Sequence, residues 1–352
     1  MGLASLRKAL LGISEDEVLF ERRGFPDPGT SIRGHLEGIG RCFVFGYTAA
    51  LETGGVSGLE RRLEHVPAAF RGFAYEGSAM ALALLDTLLP WRSRIRELLA
   101  GPGDPHTYLV HVGAGWALAR LPGRPERFLA RLEHPQRRWL VMDGYGFHQG
   151  YFHPRETVED QEIPRRVRGY LRRAFDQGLG RSLWFVRAGQ VDVVADTVAR
   201  FPEHRRGDLW SGVGLAATYA GGVGLEEIER LAVLGAAFRA ELAQGAVFAA
   251  EARRRSGNLT PATERACEVL TGVGAEEAAR WSRECGEELP PDRPQEPAFE
   301  VWRQRIMDVW RKRCHRLSPR RDPRSASPRA HREPSEREEP GSNARPGSGA
   351  MV

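Results

Sequence analysis

Two stretches of the chain share one frame, and that frame constrains the fold more than any other feature. Val66-Pro67-Ala68-Ala69-Phe70-Arg71-Gly72-Phe73-Ala74-Tyr75-Glu76-Gly77 is echoed by Phe201-Pro202-Glu203-His204-Arg205-Arg206-Gly207-Asp208-Leu209-Trp210-Ser211-Gly212. Both read Pro-x-x-x-Arg-Gly-x-x-aromatic-x-Gly. A second echo lies upstream of each: Gly38-Ile39-Gly40-Arg41 followed by Phe45, and Gly178-Leu179-Gly180-Arg181 followed by Phe185. The same two signatures in the same order predict a chain built from two similar halves, with the seam between them a natural binding site.

Both copies sit in helix-favouring sequence. Pro67 stands at a helix start, where its missing N–H costs nothing, and Phe70 to Leu89 continues as one run. Tyr108 to Leu121 is another. In the second half Pro164 is expected to open a helix that runs to Phe185. Val191 to Arg200 and Glu203 to Tyr219 follow, Leu225 to Arg255 reads as one very long helix containing Gly235 and Gly245, and Thr260-Pro261 opens a further one. No strand–turn–strand pattern of any strength occurs, so the fold class is all-α. Residues 1–34 form a helical preface, with Leu3, Leu6, Leu10 and Leu11 at helical spacing before the turn Gly24 to Gly29. The first half covers 35–160. The second covers 161–317 and closes with an amphipathic helix, Glu300 to Arg313, whose Trp302, Ile306, Val309 and Trp310 share a face. In the tail, 318–352, Pro, Arg, Ser, Glu and Gly dominate; such a segment cannot bury enough surface to offset its ordering entropy and is expected to be disordered.

Composition excludes several classes. The formal net charge is +5, but the tail holds seven arginines against five acidic residues, which leaves the body only weakly basic. Nucleic-acid binding needs a concentrated basic patch, and none is expected. No stretch approaches the roughly 18 apolar residues of a membrane span, and the N-terminus lacks a signal peptide's apolar core; the chain reads as cytoplasmic. Four scattered cysteines, Cys42, Cys267, Cys285 and Cys314, show no metal or disulfide spacing and read as reduced thiols. The glycine pairs at 113/115 and 212/214 follow no strand and lead to no Gly-Lys-Ser/Thr ending, so a phosphate loop is not expected. No cofactor is implied.

The densest chemistry lies in Asp143-Gly144-Tyr145-Gly146-Phe147-His148-Gln149-Gly150-Tyr151-Phe152-His153. Glycine inside a helix costs about 1 kcal/mol relative to alanine, so three here need a reason. Either they let backbone or ligand approach closely while Asp143, Tyr145 and His148 face a pocket as an acid–base set, or they allow tight helix packing with the polar tips satisfied in a crowded core. His148 and His153 are off the i, i+4 spacing of a helical metal site, and no metal is expected. Glu76, in an otherwise apolar run, is the second candidate: a catalytic acid or a buried ion-pair partner. Its counterpart in the other copy is Ser211. Tyr75, Trp116, Tyr151 and Trp210 are candidate substrate contacts. Arg41, Arg71, Arg181 and Arg206, matched between the halves, read as structural braces or an anion site.

Five pieces together resemble a known family: Arg71 to Gly77 with Met80-Ala81-Leu82, Val112 to Ala117, Asp143 to His148, Gly178 to Phe185, and Asp208 to Leu215. They are similar to a bacterial domain-of-unknown-function family typically encoded beside the iterative polyketide synthases of enediyne biosynthesis, mostly in actinobacteria. The likeness covers about residues 5 to 315 and supplies no catalytic assignment. It implies a pathway context, the maturation of a conjugated polyene, and hence an accessory protein that binds or processes an apolar polyene-like intermediate between its halves. A non-enzymatic helical scaffold for the synthase or another pathway protein, and a self-protection protein that sequesters the reactive product, are the alternatives.

Overall fold

The computed structural model describes residues 2–317 apart from Pro90 and Pro294; the expected disordered tail, 318–352, lies outside the described residues. All regular structure among them is helical. The N-terminal segment holds α1 (Leu3–Leu11) and α2 (Phe20–Arg23). Then come α3 (Thr30–Thr53), α4 (Leu59–Leu63), α5 (Ala68–Leu88), α6 (Arg94–Leu99), α7 (Thr107–Arg120), α8 (Pro125–Leu129) and α9 (Leu140–Phe152). The remainder is α10 (Leu171–Val186), α11 (Val191–Ala199), α12 (Glu203–Tyr219), α13 (Leu225–Leu234), α14 (Arg239–Arg255), α15 (Pro261–Thr271), α16 (Ala275–Cys285) and α17 (Ala298–Leu317).

The long helices α3, α5, α7, α9, α10, α12 and α14 pack in chain order, each on the next. Glycine makes every junction. A β-carbon at Gly46 would strike the Ala74 carbonyl, and one at Gly77 the Phe43 carbonyl. The same reciprocal contact joins Gly115 to Val141 and Gly144 to Val112, Gly146 to Phe175 and Gly178 to Asp143, Gly180 to Leu209 and Gly212 to Gln177, and Gly214 to Leu242 and Gly245 to Ser211. Between α5 and α7, Gly113 lies on the Glu76 carbonyl and Ala79 takes the facing place. Each pair is antiparallel, with backbones close enough for Cα–H groups to meet the facing carbonyls. The junction glycines recur about every 34 residues, the spacing of a repeat architecture in which each unit buries its neighbour's face.

This recurrence is finer than the two expected halves. The first echo is in register: Pro67 and Pro202 both precede a ring helix, and Gly77 and Gly212 are both junction glycines. The second is not. Gly178 and Gly180 touch neighbouring backbones, whereas Gly38 faces open space and Gly40 faces Val18. The expected boundary at 160/161 falls between α9 and α10, which pack through the same glycine contacts as the other junctions.

The row curls so that its last helices return to its first ones. The Arg253 Nη1 of α14 donates to the Ala69 carbonyl at 2.6 Å, Asn258 Nδ2 donates to the Ala68 carbonyl at 2.9 Å, and Tyr219 lies over Gly72. His35 of α3 reaches the Ala220 carbonyl at 2.7 Å. The N-terminal segment crosses the mouth of this ring. Val18 seats on Gly40, the Phe20 N–H donates to Glu37 at 3.0 Å, and Arg23 donates to the Tyr151 and Phe152 carbonyls. Leu3, Leu6 and Leu10 of α1 face outward, exposed.

Two expected helices differ. Pro164 opens none: the chain turns through Gly169, at φ +54°, and α10 begins at Leu171. The run Leu225 to Arg255 breaks at Gly235, where the helix axis bends by 81°. Gly235 packs against Leu242 and Trp210 there, so a straight helix would lose that contact. The closing helix extends from Ala298 to Leu317 and buries Trp302 and Ile306; its Val309 and Trp310 are partly buried against the core.

Candidate functional site

In each ring helix from α5 onward, the residue before the first junction glycine sets the inward face: Glu76, Val112, Asp143, Gln177, Ser211 and Gln244. Shared register sets them side by side. Gln177 Nε2 donates to Asp143 Oδ2 at 2.8 Å, and Ser211 Oγ lies 3.3 Å from Gln177 Oε1 and 2.6 Å from Gln244 Oε1. Arg303 of α17 donates to Gln244 at 3.1 Å and to Asp208 at 2.7 Å. A buried polar chain therefore crosses α9, α10, α12, α14 and α17. Val112 interrupts it, and Glu76 lies on the far side of the interruption.

One and two turns further along each helix, i+4 and i+8, the side chains enclose the centre of the ring. Trp116, Phe147, Tyr151, Arg181, Phe185, Leu215 and Tyr219 all lie at these offsets. With Phe43 and Phe73 they line a cavity of about 50 Å³ into which Glu76 and Arg181 project. Arg181 also borders a smaller void of about 20 Å³ with Asp143, Tyr219 and Phe248.

Glu76, Asp143 and Arg181 form the charged centre. Arg181 Nη1 donates a hydrogen bond to Asp143 Oδ1, and its guanidinium lies 5.1 Å from the centroid of Phe147. Burial works against the charge on Arg181, but Asp143 and Glu76 hold its pKa above the usual value. Asp143 is fully buried and already neutralises Arg181. A second carboxylate would leave the cluster with excess negative charge in a low-dielectric interior. Accordingly the Glu76 carboxyl is pushed up to about 7, chiefly by burial; Asp143 adds to the rise, while Arg181 and the neighbouring Trp116 indole oppose it. A carboxyl poised near neutrality among aromatic rings has the acidity of a general acid–base group.

The other sequence candidates are dispersed. Tyr151 and Trp116 line the cavity; Trp116 meets Phe43, Phe147 and, edge-on, His148. His148 lies behind that indole, not in the lining. Burial drives its pKa down to about 3, with His153, Arg120 and Arg23 acting in the same sense, so it is a neutral imidazole. Tyr145 points elsewhere: its hydroxyl accepts from Arg166 Nε at 2.9 Å, and the same guanidinium caps the end of α7 at the Leu118 carbonyl. Tyr75 stacks on His106, ring centroids 4.3 Å apart, and Trp210 packs on Gly235. Arg71 and Arg206 each donate to the carbonyl of the residue before the matched proline, Val66 and Phe201. They are backbone braces. Arg41 is exposed and paired with Glu37, unlike the buried Arg181 it was matched to.

Sequence reasoning missed Phe43, Gln177 and Tyr219. The signal for the last two was present: Gln177 precedes a junction glycine, and Ser211, Leu215 and Tyr219 are spaced i, i+4, i+8. Among the described residues no three of His, Cys, Asp and Glu converge to hold a metal ion, and no single helix is long and apolar enough to cross a membrane. A family model, described as a protein of unknown function, matches residues 2–310. No curated protein and no solved structure matches.

Proposed function

The chain belongs to that family of unknown function (DUF1702), and on this premise we propose that it is an accessory protein of enediyne-type polyketide biosynthesis. It receives an apolar, polyene-like intermediate at the centre of the helical ring, with Glu76 as the group that exchanges a proton with it. The observation that carries this reading is the Glu76 carboxyl, 3% exposed and poised near pH 7, inside a mostly apolar lining rich in aromatic rings. Arg181, held by Asp143, sets the charge that Glu76 meets; Trp116, Phe147 and Tyr151 offer π faces to a conjugated chain.

The cavity's volume of about 50 Å³ is room for a water or two and far below a small-molecule site. The ligand therefore enters by displacing the part of the wall that the N-terminal segment supplies, Ile13, Glu17 and Val18.

The test is genetic and chemical. A strain lacking the gene should accumulate a polyene, and Glu76→Gln should fail to restore the product while Tyr145→Phe, whose hydroxyl serves Arg166, restores it. Unchanged metabolites in the deletion strain would remove the pathway assignment. Full rescue by Glu76→Gln would leave binding without proton transfer.

A further inference from the structure

A cleft roomier than the central cavity lies elsewhere on the molecule. It lies on the outer side, between the end of α5, α6 and the segment 128–134, and encloses about 410 Å³. That is within the range of small-molecule sites, about 300–1,000 Å³. Ile95, Leu99, Phe128 and Leu132 give it an apolar floor.

Its charges do not cancel. Asp86 is committed to the start of α6, accepting from the Arg94 and Ile95 N–H groups at 3.0 Å each and from the Arg94 guanidinium. Glu133 is paired with Arg96 at 2.8 Å. Both acids of the cleft are thus neutralised. The guanidinium groups of Arg92 and Arg131, which also line it, have neither an ion pair nor a hydrogen bond among the described residues. Burial holds the His134 pKa below its usual value, which leaves that side chain an uncharged wall at neutral pH. The cleft is an apolar trough with two exposed guanidinium groups, unpaired among the described residues, at its edge.

We propose that this cleft is a second ligand site, distinct from the central cavity, for an amphipathic organic anion. The apolar body lies on Ile95, Leu99, Phe128 and Leu132, and a carboxylate or phosphate head takes the guanidinium donors of Arg92 and Arg131. The inference does not depend on the role of Glu76, because no residue of the cleft borders the central cavity.

Calorimetric titration of the full chain with decanoate, decyl phosphate and decanol, below their micelle concentrations, tests it. Decanoate or decyl phosphate should bind with one-to-one stoichiometry and at least about tenfold more tightly than decanol, the worth of one charge-assisted hydrogen bond. Which of the two binds more tightly identifies the head group. The double variant Arg92→Gln/Arg131→Gln, altered only at exposed positions, should bind all three alike. Glu76→Gln should leave decanoate binding unchanged. Equal affinity for decanoate and decanol in the wild type, no saturable heat, or undiminished anion binding by the double variant would each overturn the assignment. Loss of binding in Glu76→Gln alone would place the anion in the central cavity instead.

Discussion

Glu76 carries a measurable signature apart from any reaction. Its folded pKa, about 7, lies above the 4.5 of a free glutamate side chain. Between these values the native state holds a proton that the unfolded chain has released. Its contribution to stability is therefore complete below pH 4.5 and is lost as pH rises through 7. The size is on the order of 3 kcal/mol. Glu76→Gln should remove that slope: its stability relative to wild type, measured by denaturant unfolding, should rise from pH 5 to pH 8. A constant difference across that range would show that Glu76 is not held protonated. Asp143 accepts one hydrogen bond at each oxygen, from Arg181 and Gln177, and so anchors the charged centre. Glu76 was recognisable in the sequence as an acid in an apolar run. Asp143 and Arg181 were candidates too, but their pairing beside Glu76 was not legible, because they meet it from helices distant in sequence.

At the scale of elements, the junction glycines decide the architecture. Helix–helix contact this close leaves no room for a β-carbon at the junction glycines. Gly144→Ala and Gly178→Ala should each destabilise the protein by about 2 kcal/mol or more, as overpacking does. Gly38→Ala provides the control. It is also inside a helix but faces open space, so it should stabilise by up to about 1 kcal/mol through helix propensity alone. Thermal unfolding of the three variants compares the effects directly; equal shifts would mean that the glycines are tolerated rather than required. The asymmetry explains the fate of the two echoes. The frame around Pro67 and Pro202 includes junction glycines and braces, so it is preserved with its geometry. The Gly-x-Gly-Arg echo at 38 has the letters without the contacts, because on α3 the junction falls at Gly46 instead.

At the scale of the molecule, the ring has one covered mouth. The segment from α1 through α2 supplies the Val18 seat on Gly40 and is tied down by a handful of polar contacts, such as the 2.5 Å bond from the Tyr47 hydroxyl to the Leu11 carbonyl. The ring itself is joined by extensive helix packing. Removal of residues 1–19 should leave the ring folded, as judged by far-UV circular dichroism, and open the central cavity. Diphenylhexatriene, a linear conjugated probe that fluoresces in apolar surroundings, should then be taken up faster than by the full chain. Equal uptake rates with intact helical content would mean that the ligand enters elsewhere.

The sequence alone determined the all-helical class, most helix boundaries, the place of Pro67 at a helix start, and the presence of a carboxyl out of place at Glu76. These follow from local rules: glycine and proline punctuate helices, and apolar residues recur with helical period. It did not show that α10 starts after Gly169, that the run after Leu225 bends at Gly235, or that the period is a single helix rather than a half. Those outcomes depend on what each segment packs against. Tertiary structure also separated the candidate set. Tyr145 and His148, three residues apart on α9, turn toward different surroundings, one to Arg166 and the other to Trp116. The charged centre exists only because the ring brings α5, α9 and α10 to one interior point, where burial raises the Glu76 pKa and Arg181 opposes the rise.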